Sequence, residues 1–144
     1  MKRQTLVQLA LAFLLVSALV TGITAAAAPH TFYGDFPFLR HWVDLLPPYN
    51  EHLVTDVGEL YLGFAILFGW ALWTLQPTLV RAVCTAWLVP SVLHLIFHAT
   101  HLGNFDTGDA IAEIVSLSLV VLPAVLALWA VGDGSEGSRT GVAS

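Results

Sequence analysis

The sequence predicts an all-α fold, a four-helix transmembrane bundle with both termini cytoplasmic and an outer interfacial loop. Three observations carry this reading. Hydrophobic residues make up 57% of the 144 positions and charged residues 10%, proportions far from those of a water-soluble domain. The apolar residues fall into four runs, about 6–28, 53–75, 82–100 and 109–131, each long enough at about 1.5 Å per residue to cross a hydrocarbon core of about 30 Å. Lys2, Arg3, Arg81 and Arg139 fall on one side of these runs and only Arg40 on the other, which places the first side in the cytoplasm. Residues 1–132 are thus expected to form one multi-pass domain of the cell membrane, with the lipid bilayer as its medium.

The first run is uncharged from Leu6 to Ala28. Because Lys2 and Arg3 precede it and Ala25 to Ala28 end it in small residues, a cleavable secretory signal stands beside a retained span as a second reading. Either reading leaves Pro29 onward on the outer side. Residues 29–50 are rich in aromatics and prolines, with Phe32, Tyr33, Phe36, Phe38, Trp42 and Tyr49 suited to the headgroup level. Within them the spacing of Phe38, Leu39, Trp42, Val43, Leu45 and Leu46 predicts a short interfacial helix stopped by Pro47 and Pro48. Asn50 is a good N-cap for the second span, with Glu51 in its first turn. Gln76 and Pro77 make the turn to the third span, and Gly103, Asn104 and Gly108 the turn to the fourth, which Asp106 or Thr107 can cap. Trp70, Trp73, Trp87 and Trp129 read as anchors at the inner interface. Gly58, Gly63 and Gly69 are candidates for close helix approach. Residues 133–144 lack core-forming content and are expected to be a disordered cytoplasmic tail.

Five Lys and Arg without a patch exclude nucleic acid as a partner. A single cysteine, Cys84, excludes a disulfide framework or a thiolate metal cage. What stands out is local. All six histidines and all carboxylates except Asp133 and Glu136 gather at the outer ends of the spans. His52, Asp56 and Glu59 share one stripe of the second span, and His94, His98 and His101 share one of the third. Asp106, Asp109 and Glu113 do the same at the start of the fourth.

If the second and third spans pack as antiparallel neighbours, equal rises pair His52 with His101, Asp56 with His98 and Glu59 with His94. Imidazole with carboxylate and no thiolate suits a divalent transition metal, Zn or Fe foremost. The candidate ligands are Asp56, Glu59, His94, His98, Asp109 and Glu113, with Glu59 and Glu113 as candidate catalytic proton carriers and a lipid-like substrate reached from the bilayer. His52, His101 and Asp106 lie nearer the surface as an entry relay. A proton or cation relay is the alternative function, and a non-catalytic accessory subunit of a membrane complex, or a homo-oligomer, is another. No string such as HExxH names a reaction, so enzymatic activity is left open.

The stretch Asp56-Val-Gly-Glu-Leu-Tyr-Leu-Gly-Phe-Ala, followed by the proline turn at Pro77 and two further spans, resembles the layout of DoxX-like small four-helix membrane proteins over roughly residues 53–131. The resemblance implies four spans with a glycine-containing second helix and assigns no functional residue.

Overall fold

Four helices long and apolar enough to cross a membrane account for most of the chain. A computed structural model describes residues 2–46 and 48–131, and the regular structure among them is entirely helical. In chain order these are α1 (Arg3–Ala27), α2 (Pro29–Asp35), α3 (Glu51–Thr74), α4 (Pro77–Thr100) and α5 (Thr107–Ala130), with one 3-10 turn at Leu102–Asn104. The expected tail, with Arg139, lies outside the described residues.

The helix ends follow their capping residues. The Asn50 side chain accepts the Leu53 amide at the start of α3, and Asp106 accepts the Asp109 amide at the start of α5, each satisfying a donor that the first turn leaves without a carbonyl. Pro77 opens α4 at a position where its missing amide costs nothing.

The outer connection departs from expectation. Its helix is α2, upstream of the predicted 38–46 segment, which instead forms turns and bends. Pro29 presets the helical φ at the start of α2. Downstream, Phe38, Leu39 and His41 hold positive φ, a conformation that a run of L-residues cannot propagate as a right-handed helix.

α1 is the central element. It packs most extensively against α3 and then against α5, α4 packs against α5, and α3 meets α4 over a smaller area. Leu11, Leu14 and Ala18 of α1 are wholly buried. Small residues set the α1 to α3 approach, because a Cβ placed on Gly58 would lie 2.4 Å from the Ala26 backbone nitrogen, and one on Gly22 would lie 3.0 Å from Leu62. Such backbone proximity is how helices associate where lipid removes the hydrophobic drive.

Where α3 meets α4, Trp87 is the hub. Its ring is 2% exposed and stands edge-on to Tyr61, Phe64 and Phe68, with centroids at 5.3, 5.1 and 5.3 Å. Its Nε1 donates to the Val120 carbonyl of α5 at 2.9 Å, in the turn that Pro123 leaves one amide short. The reading of Trp87 as an interface anchor is therefore corrected: it ties three helices together. Trp70, Trp73 and Trp129 are exposed, and Arg3 lies 5.6 Å from the Trp129 ring. Trp87→Phe keeps the ring packing and deletes the hydrogen bond. It is expected to lower unfolding stability by about 1 kcal/mol, seen as a lower thermal midpoint in detergent.

Candidate functional site

The end of the molecule that carries Asn50, His101 and Asp106 is built from the N-terminus of α3, the C-terminus of α4, the N-terminus of α5 and the α2 to α3 connection. Which histidines and carboxylates meet there depends on how each helix is rotated. On α4, Val80, Cys84, Trp87 and Ser91 are buried at steps of four, three and four residues and His98 seven further on, so His98 belongs to the stripe that faces the other helices, with His94 one turn before it. On α5 the inward stripe runs through Glu113, Ala124 and Ala127. The two stripes meet at His98 and Glu113.

His98 is 7% exposed and Glu113 3%. His98 Nδ1 lies 2.6 Å from Glu113 Oε1, but the approach falls outside hydrogen-bond geometry, and both His98 Nδ1 and Glu113 Oε2 are buried without a hydrogen-bond partner. Close contact and unmet bonding capacity thus coexist in one pair. A buried polar atom without a partner is rare in folded proteins and calls for a physical account. The His94 ring stands edge-on to that of His98 with centroids 4.4 Å apart, and His94 is itself exposed. His101 stacks on Phe97 at 4.2 Å, and its Nδ1 lies 2.7 Å from the Phe97 carbonyl.

Asp109, one turn toward the helix start from Glu113, forms an ion pair with Arg40 of the outer connection. Arg40 also sits 5.9 Å from the ring of Trp42, which is buried. Asn104 Nδ2 donates to the Leu45 carbonyl at 2.8 Å. Residues 40–45 are thereby fastened over the ends of α4 and α5. Sequence reading had Arg40 only as an outer-side charge. The signal available was that it is the single cation beside the acids at the start of α5.

The depth-matched pairing of α3 with α4 is not formed. Asp56 is 3.1 Å from His52 of its own helix, and Glu59 is exposed with no partner among the described residues. His98 meets Glu113 in place of Asp56. The cause is the rotation of α3. Gly58 against Ala26 and the aromatic ridge of Tyr61, Phe64 and Phe68 around Trp87 fix its packed face, and Asp56 and Glu59 are turned from Gly58 by about 200° and 100°. Of the six candidate ligands, His98 touches both His94 and Glu113, Asp109 is held by Arg40, and Asp56 and Glu59 lie on another face. Among the described residues no group of three His, Cys, Asp or Glu is arranged to hold a metal ion.

A groove of about 460 Å³ lies between the 3-10 turn and α5, lined by Leu102, Phe105, Ala110, Ile111 and Ile114 among others. Neither His98 nor Glu113 lines this apolar groove. No protein-family model, curated protein or solved structure matches the chain.

Proposed function

We propose that the chain is an integral membrane protein whose four long helices form a bundle with both termini in the cytoplasm. His98, Glu113 and His94 at its outer end take up a divalent transition metal. The observation that carries the metal reading is the buried contact between His98 and Glu113, in which Nδ1 and Oε2 have no partner. A cation beside the two groups satisfies both. The third ligand in this reading is His94, whose ring stands 4.4 Å from that of His98. Two imidazoles and one carboxylate with open positions suit Fe(II) or Zn. Such an ion would supply activation of water or oxygen, and the protein's own part is to keep His98 and Glu113 buried beneath the fastened loop.

The orientation rests on Lys2, Arg3 and Arg81 at one end of the spans and Arg40 at the other. Retention of α1 as a span, rather than its removal as a secretory signal, is supported by its packing against both α3 and α5. A second reading, favoured by the direct 2.6 Å approach of His98 to Glu113, is a pair that passes protons with no metal.

Metal analysis of the purified full-length protein after loading with Zn(II) or Fe(II) separates the two. About one ion per chain is expected for the wild type, with binding lost in His98→Ala and Glu113→Gln and weakened in His94→Ala. Absence of stoichiometric metal at neutral pH overturns the metal reading.

A further inference from the structure

His52, Asp56, Glu59, Gly63, Ile66 and Trp70 follow one another at steps of four and three along α3, and so form one continuous stripe. All but the half-buried Asp56 are exposed. This is the face of α3 turned away from α1 and α4, and no described helix covers it. Its polar members do not all lie at the membrane surface. Trp73 is 88% exposed at the inner end of α3, where an indole ring rests at the headgroups. Glu59 is fourteen residues above it, about 21 Å along the helix, which leaves Glu59 about 9 Å inside the outer boundary of a core about 30 Å thick. A carboxylate at that depth ordinarily faces protein and has a partner.

Among the described residues the chain supplies no such partner. Lys2, Arg3 and Arg81 lie at the opposite end of the spans, and Arg40 is engaged with Asp109. A second copy brings no cation to this depth either. Packed about a two-fold axis along α3, it sets Asp56 and Glu59 against their own equivalents, four carboxylates with His52 already engaged by Asp56. Charge complementarity therefore calls for a different chain. The apolar continuation of the stripe gives its shape: a Cβ on Gly63 meets no atom within 4 Å, so a neighbouring backbone can come close one turn below Glu59, and Ile66 and Trp70 extend the contact inward.

We propose that this face of α3 docks a transmembrane helix of another membrane protein that carries a Lys or Arg in its outer third, opposite Glu59. The inference does not depend on the metal reading, since neither His98 nor Glu113 belongs to this face.

The test uses the full-length chain, donor-labelled, in phosphatidylcholine vesicles. The probe is an acceptor-labelled Leu/Ala-rich transmembrane peptide with one Lys in its outer third, and the control is the same peptide with Gln. The Lys peptide is expected to associate about tenfold more tightly than the control. Glu59→Gln should abolish the difference, and Asp56→Asn should reduce it. Glu59 is exposed and has no hydrogen-bond or ion-pair partner among the described residues, so helical circular dichroism of Glu59→Gln should match the wild type. Equal association of both peptides, as when Glu59 reaches lipid headgroups instead, overturns the proposal. So does energy transfer between two labelled copies of the chain that Glu59→Gln eliminates, because it assigns the face to self-association.

Discussion

Replacing Gly58 with leucine is expected to prevent α1 and α3 from closing. Even the first added carbon has no room, since a Cβ on Gly58 lies 2.4 Å from the Ala26 nitrogen, 2.9 Å from the Ala25 carbonyl carbon and 2.9 Å from the Ala26 Cα. These are backbone atoms in a helix, and they cannot swing aside as a flexible side chain does. Relief requires the two helices to separate, which forfeits contact along the most extensive interface of the molecule. Gly58→Ala should cost about 3 kcal/mol, at the upper end of overpacking penalties, and Gly58→Leu should leave no cooperative thermal transition in detergent. Gly63→Ala supplies the contrast. Its Cβ meets no atom within 4 Å, and alanine is the better helix former by about 1 kcal/mol, so the midpoint should hold or rise. Equal loss at both positions would show that glycine acts through helix flexibility and not through the close approach.

The second large effect concerns the buried pair. His98→Ala takes the imidazole away from the buried Glu113, and Glu113→Ala takes the carboxylate away from the buried His98. Breaking one side of a buried ionisable pair typically costs about 3 kcal/mol or more, while replacing both sides by apolar groups of similar size is often close to neutral. The double variant His98→Leu/Glu113→Leu should therefore be more stable than either alanine variant. Unfolding each protein by SDS titration in mixed micelles, with His98→Leu and Glu113→Leu as the matching single variants, completes the cycle, and the interaction energy should reach about 2 kcal/mol. Additive single effects would mean that the two side chains are neighbours without being coupled. The cycle is run without added metal, so its outcome does not hinge on loading.

Hydropathy made the four long helices legible because a span is defined by its own length and composition, independent of its neighbours. The same holds for the caps: Asn50 and Asp106 act on amides three residues away, and that information is local. Rotation about the helix axis is another matter. The stripe of His52, Asp56 and Glu59 is as regular as that of His94 and His98, and both satisfy the expectation that polar residues in a span face inward. What decides between them is the match of Gly58 to Ala25 and Ala26, more than thirty positions earlier, and of Tyr61, Phe64 and Phe68 to Trp87. Steric complementarity of that kind is a property of pairs of surfaces and has no signature in either segment alone. Glu113, by contrast, comes to His98 of α4 because the short turn between α4 and α5 makes those two helices neighbours. The outer connection was misread for a third reason: the apolar spacing of Phe38 to Leu46 suits a helix, but backbone conformation at Phe38, Leu39 and His41 forbids one.

The Arg40 to Asp109 clasp has a consequence for biogenesis. Its two halves are 69 residues apart in the chain, so, in the proposed orientation, Arg40 reaches the outer side before its partner is synthesised. During that interval Arg40 waits in water, and the clasp closes only once the final span has been threaded into the bilayer. Assembly of the outer end is thus ordered: helix insertion comes first, and sealing of the loop reports that the last segment has arrived.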